Sequence, residues 1–167
     1  MADMWLQGSF AFLCTLAEGE LMAEAIAAGC SLCADMEPEP PSANLLATFP
    51  PTHATDPWSG FRDAFTGPGF PVVGGDFTSE PSLDDSSICI AQFSSMVDFD
   101  PEAIATVIQQ CCSETLAKGP IGFEWAVVCS KPRAGHFGGG WCAVHSDRIE
   151  FGNTEQLLVR ALEGRII

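Results

Sequence analysis

Positive charge is nearly missing from the first 117 residues of this 167-residue chain. Arg62 stands alone there against 17 Asp and Glu, which leaves a balance of −16. From Lys118 onward, six Lys and Arg meet five acids, a balance of +1. So few cations argue against direct nucleic-acid binding, because neutralising phosphates needs a basic surface. An acidic protein can instead present carboxylates to a basic partner, including one that normally grips DNA or RNA, although many proteins are acidic only for solubility. Long apolar runs are missing too: nothing approaches the ~20 residues needed to span a bilayer. The short run Phe10 to Leu16 lacks the basic flank of a secretory leader, since Asp3 stands where that flank belongs. Glu18, Glu20 and Glu24 then break its continuation. A cytoplasmic location with no membrane partner is the expectation.

Charged residues are only 17% of the chain and apolar ones 47%, the balance of a globular protein and not of an acidic tail. At this length one domain, 1–167, is expected. The eight cysteines (14, 30, 33, 89, 111, 112, 129 and 142) read as thiols in a reducing compartment. Most sit in apolar stretches such as Ile88-Cys89-Ile90, where they serve as small buried hydrophobes.

The clearest element is a helix over about 101–117. Asp100 is its N-cap, Pro101 suits the first turn, and Glu102 complements the dipole. Ile104, Val107, Ile108, Cys111, Cys112, Thr115 and Leu116 recur at helical spacing, and Gly119 and Pro120 end it. Ile88 to Phe99 reads as a strand before it. A three-stranded meander follows: Phe123, Trp125, Val127 and Cys129 alternate with more polar neighbours, then Trp141 to His145, then Ile149 to Phe151. Asn153 caps a last short helix with apolar Leu157, Leu158, Ala161 and Leu162. Near the start, Glu18 to Ala28 is helical with Gly29 as terminator, and residues 5–14 fit either a strand or an earlier part of that helix. Residues 35–87 hold nine of the twelve prolines. Phe49, Trp58, Phe61, Phe65, Phe70 and Phe77 predict an ordered wrap there, with a short helix after Asp56-Pro57 ended by Gly67. The expected fold is thus α+β: an antiparallel sheet of about four strands against the 101–117 helix and one or two others.

No complete catalytic or cofactor motif is present, and no cofactor or metal is expected. Cys30-x-x-Cys33 has no second half for zinc. Cys142-x-x-His145 falls on a strand, where positions three apart face opposite ways. Cys129 or Cys142 with His136 or His53 is a conceivable nucleophile and base. Asp84-Asp85, Asp98 and Asp100 suit turns and caps better than acid–base work. Trp58, Trp125 and Trp141 could form a platform, although core packing is the stronger reading. The most distinctive stretch is Cys129-Ser-Lys-Pro-Arg-Ala-Gly-His-Phe-Gly-Gly-Gly-Trp141. It gathers Lys131, Arg133, His136 and Phe137 beside Gly138, Gly139, Gly140 and Trp141, the candidate binding residues. Three glycines with nearby cations also suit an anion nest, but the spacing matches neither a P-loop nor a dinucleotide fingerprint.

This stretch, after an apolar strand containing Trp125, resembles a pattern in small uncharacterised bacteriophage-encoded acidic proteins, over about residues 120–158. The resemblance implies a phage or prophage accessory protein acting in a bacterial cytoplasm, and it assigns no catalytic residue. The functional expectation is a non-enzymatic binding protein that inhibits or redirects a bacterial target, of the anti-defence, host-takeover or immunity type. It would use either the acidic face from residues 18–102 or the hairpin. The alternatives are a small enzyme with a Cys/His site under the 129–141 hairpin, and a structural or virion component.

Overall fold

Alternation of apolar and polar residues builds most of the sheet. The computed structural model describes residues 3–65, 72–131 and 133–164. Six strands are present among them: β1 (Met4–Thr15), β2 (Asp76–Pro81), β3 (Ile88–Ser95), β4 (Ile121–Cys129), β5 (Gly138–Val144) and β6 (Ile149–Asn153). They form one antiparallel sheet in the order β2-β3-β1-β4-β5-β6. The helices are α1 (Leu16–Cys33), α2 (Ala43–Thr48), α3 (Ser59–Asp63), α4 (Pro101–Cys111), α5 (Ser113–Leu116) and α6 (Thr154–Leu162).

The α+β class matches the sequence, but two features do not. The sheet has six strands, not about four. One addition is β1, which resolves the ambiguous 5–14 segment. Its Phe10, Phe12 and Cys14 turn toward the core while Ala11 and Leu13 turn out, the period-two pattern of a strand. The other is β2, inside the Pro-rich crossing. It is an edge strand of mostly polar residues, ending at Pro81, where a missing N–H costs the ladder nothing. Only Phe77 and Ser79 are part-buried, too weak a signal to read as a strand beforehand.

The second correction concerns the 101–117 helix, which is two helices. The Asp100 cap is as expected, its carboxylate accepting from the N–H groups of Glu102 and Ala103. The α-helical run stops after Cys111, however, with Cys112 at φ −110° and ψ 43°. The cause is distant in sequence. Glu18, 5% exposed, accepts the Thr115 N–H at 3.0 Å and the Thr115 hydroxyl, so that N–H is not available to the carbonyl of Cys111. The same carboxylate closes the capping box of α1 by accepting from Thr15 N–H at 3.0 Å. Glu18 thus joins the starts of α1 and α5. Gly29 does not end α1 either; it is buried within the helix, which runs on to Cys33.

Helices α1 and α4 cover one face of the sheet. Between them and the strands lies an aromatic stack: Phe10 sits 4.5 Å from Phe123 and 5.4 Å from Phe93, centroid to centroid, with Phe99 edge-on. Each fully buried Phe contributes roughly 2–3 kcal/mol by area. The Pro-rich crossing is ordered where described, held by Phe49, Trp58 and Phe61 in T-shaped contact around α3. Gly67 and Phe70 lie outside the described residues.

Candidate functional site

The predicted site residues gather at one corner of the molecule. There the loop between β4 and β5, the edge strand β6 and helix α6 come together. The loop base is fixed by the chain start: Ser130 N–H donates to the Asp3 carbonyl at 2.9 Å, and Asp3 N–H donates to Ser130 Oγ at 3.0 Å. A turn follows, with His136 N–H donating to the Arg133 carbonyl and Gly135 at φ +76°. Lys131, Arg133 and Phe137 are exposed, Phe137 by 55%, while His136 is half-buried. Pro132, in the middle of the motif, lies outside the described residues.

The three glycines are not the loop tip. Gly138, Gly139 and Gly140 open β5 and pair with Val127, Ala126 and Trp125 of β4. Gly139 N–H donates to Thr154 Oγ1 at 3.1 Å, which docks the start of α6 on the strand. Their backbone donors therefore serve the sheet and α6, not an anion nest. Their smallness has a separate use. A Cβ on Gly140 would lie 2.2 Å from the Trp125 ring, and one on Gly152 would lie 2.4 Å from the Trp141 ring. Each indole fills the space that a side chain at the glycine would need.

That arrangement also answers the tryptophan platform. Trp125 points to the core side, near Phe123 and Phe151, whereas Trp141 is on the opposite face and exposed. Trp58 is buried near α3. The three do not meet.

Helix α6 is the unexpected part of the corner. Asn153 Oδ1 accepts from Gln156 N–H at 2.8 Å, so the predicted cap is present. The helix is amphipathic, yet none of its residues is buried: Leu158 is 60% exposed and Leu162 78%, with Val159 also exposed. Phe137 in the hairpin and Phe151 on β6 are exposed as well, by 55% and 45%. The sequence marked these leucines as an apolar face, but not that the face stays open.

Other candidate chemistry falls out differently. Cys129 Sγ and His136 Nδ1 are 3.8 Å apart, so one of the conceivable Cys/His pairs is brought together. Cys142 is buried on the core face, with its pKa pushed up to about 12 by burial. His145 lies on the other face near Glu150, 3.7 Å away. Cys30 and Cys33 are exposed on the last turns of α1. No group of three or more His, Cys, Asp or Glu among the described residues has metal-binding geometry. Asp85 accepts from Ser87 N–H and hydroxyl in a turn, and Asp98 accepts from Ser95 Oγ.

Electrostatically the rest of the molecule is acidic. Arg62 is engaged with Asp56, whose pKa is held below the usual carboxylate value chiefly by the Trp58 N–H, then by Arg62. No helix among the described residues is long and apolar enough to cross a membrane. No family model, curated protein or solved structure matches the chain.

Proposed function

We propose that this chain is a non-enzymatic binding protein that inhibits or redirects a bacterial protein, gripping it through the corner formed by the 131–141 hairpin, β6 and α6. The supporting observation is α6 itself, an amphipathic helix with no buried residue. Leu158 and Leu162, one turn apart, present the spacing by which a helix lays its apolar side into a groove. Phe137, in the hairpin, is an exposed aromatic anchor.

The partner's chemistry follows from charge. A net charge of −15 draws a basic-rimmed surface, so the groove belongs to a basic protein. Lys131 and Arg133 repel cations at their own end, so the groove's near edge is neutral or acidic and the orientation is fixed. The bacterial setting rests on the likeness of the hairpin to phage-encoded proteins.

The test compares tagged wild type with a Leu158→Asp/Leu162→Asp variant in capture from bacterial lysate, followed by cross-linking to map the contact. Both positions are exposed, so the variant should melt within a degree or two of wild type. A basic partner cross-linked through α6, lost by the variant and weakened by salt, is the expected result. A partner held equally by both proteins refutes the corner.

The 3.8 Å contact between Cys129 and His136 favours a second reading, a small enzyme with Cys129 as nucleophile and His136 as base. Alkylation of the native protein near neutral pH separates the two. On the enzyme reading, Cys129 reacts far faster than the other thiols, and His136→Ala abolishes the difference.

A further inference from the structure

Three buried thiols meet where β1 runs into α1. Cys14 and Cys89 are direct cross-strand partners in the β1–β3 ladder, and their sulfurs are 3.3 Å apart. Such partners have Cα atoms about 4.5–5.5 Å apart, inside the range a disulfide spans. Cys112 approaches from the break between α4 and α5, within hydrogen-bond reach of Cys14 and 3.5 Å from Met22 Sδ. The Ser79 hydroxyl donates to Cys89 Sγ at 3.4 Å. Neither the hairpin nor α6 involves these groups.

A route leads to them from outside. Beyond Gln7 and Ala126, β1 no longer pairs with β4, and an open cleft of about 520 Å³ lies beside the splayed ends. Phe12, Cys14, Ile88, Thr115, Lys118 and Ile121 are among its lining residues. Cys14, 3% exposed, is the one thiol of the pair among the residues that line this cleft; Cys89 is fully buried and not among them.

We propose that Cys14 and Cys89 form a reversible thiol–disulfide switch operated by a hydroperoxide entering this cleft. The Cys14 thiolate attacks one peroxide oxygen, the O–O bond breaks, and hydroxide leaves, giving a sulfenic acid on Cys14. Cys89 sulfur then attacks the Cys14 sulfur, and the S–O bond breaks. Water departs with the Cys89 proton as the S–S bond forms. In sum, two thiols lose two electrons to the peroxide; with hydrogen peroxide the departing hydroxide takes up the proton given up by the Cys14 thiol, so two waters result, whereas an alkyl hydroperoxide gives one alcohol and one water. A dithiol reductant reverses it by exchange.

The direction of attack has support beyond access. Hydrogen bonding from Cys112, reinforced by Cys89, holds the Cys14 thiol below its ordinary pKa against the opposing effects of burial and the Glu18 charge. Burial pushes Cys89 the other way. A low-pKa thiol beside a resolving one is the arrangement of redox-sensing cysteines, and transient disulfides are the kind a reducing compartment permits.

The test uses the reduced full-length protein treated with hydrogen peroxide, then quenched, digested without reductant and mapped by mass spectrometry. The expected product is a Cys14–Cys89 linked peptide that disappears on treatment with dithiothreitol. Cys89→Ser should instead trap sulfenic acid on Cys14, which dimedone labels. A Cys30→Ser/Cys33→Ser background removes the exposed thiols of α1, so that the intact mass reports a 2 Da loss from the buried pair. Cys14 remaining reduced while other thiols oxidise overturns the proposal. So does linkage of Cys14 to Cys112 in place of Cys89. The peptide map of wild type needs no variant to fold.

Discussion

Replacing Glu18 with Gln tests whether a single carboxylate both caps α1 and breaks the 101–117 helix. The side chain is buried and receives three donors: Thr15 N–H, Thr115 N–H and the Thr115 hydroxyl. Gln keeps the size but replaces one acceptor oxygen with an NH2 group that faces a donor. Hydrogen bonds to a charged group are worth about 1.5–3 kcal/mol each, and the amide recovers part of that. The expected loss is therefore about 2 kcal/mol at pH 7. With a urea slope near 2 kcal/mol/M, the unfolding midpoint falls by about 1 M. The pH dependence gives an independent check. Burial pushes the Glu18 pKa up, but the bonds from Thr115 and Thr15 outweigh it, and the folded-state value lies below the ordinary one. A depressed carboxylate stabilises the fold above its unfolded pKa of about 4.3, and that contribution fades as pH falls through the folded value. The gap between wild type and Glu18→Gln should thus be full at pH 7 and shrink in acid. Amide exchange at Thr115 should quicken in the variant. A gap under about 0.5 kcal/mol at pH 7, against the 1.5–3 expected of one charged bond, or one unchanged down to pH 3, would refute the reasoning.

Gly140→Ala should cost about 1–3 kcal/mol, because its Cβ would meet the Trp125 ring at 2.2 Å and the indole must move. Tryptophan fluorescence should shift along with the lower melting temperature. Asn153→Ala removes the cap of α6 and about 1 kcal/mol of local stability. Amide exchange should rise roughly fivefold across 154–162 while β4 and β5 stay protected, and partner capture through α6 should weaken in parallel.

Legibility of this fold follows sequence separation. The cap of α4, the alternation of β4 and the Asn153 cap rest on neighbours within a few residues, and the β4–β5–β6 meander on partners no more than 23 positions apart; the structure has each of them. The break at Cys112 rests on Glu18, which is 97 positions from the Thr115 it holds. The thiol pair of Cys14 and Cys89 joins positions 75 apart. Local pattern is blind to both, since helical spacing runs unbroken through Cys111, Cys112 and Thr115. Strand β2 was hidden for a different reason. An edge strand with one paired side needs little apolar sequence, and Asp76–Pro81 carries little. At the candidate site, residue types were readable and their setting was not. Gly138–Gly140 read as suited to an anion nest, because glycine opens backbone shapes closed to other residues. Here Gly140 leaves space that an indole ring fills instead.

The acidity of the first 117 residues, a single number in the sequence, divides into two populations in space. One is tied into the structure. Glu18 bridges two helices, and Glu24 accepts from Ser42 N–H and hydroxyl, both at 2.7 Å. Asp56 holds Arg62, Asp63 accepts from the Thr52 hydroxyl, and Asp100 caps α4. The other population, including Glu20, Glu37, Glu39, Asp76, Glu80, Asp84 and Glu102, is exposed. Changing the first group alters the fold and the field together, so it says little about recognition. The second group projects a field into solvent without fixing the backbone. That field reaches about a Debye length, near 8 Å at physiological salt, and acts mainly on encounter. On the proposed function, the exposed side chains of α6 would act only after contact. The two surfaces weighed from the sequence, acidic face and hairpin, are on this reading successive stages of one recognition event: the carboxylates set how fast a basic partner arrives, and the corner sets how long it stays.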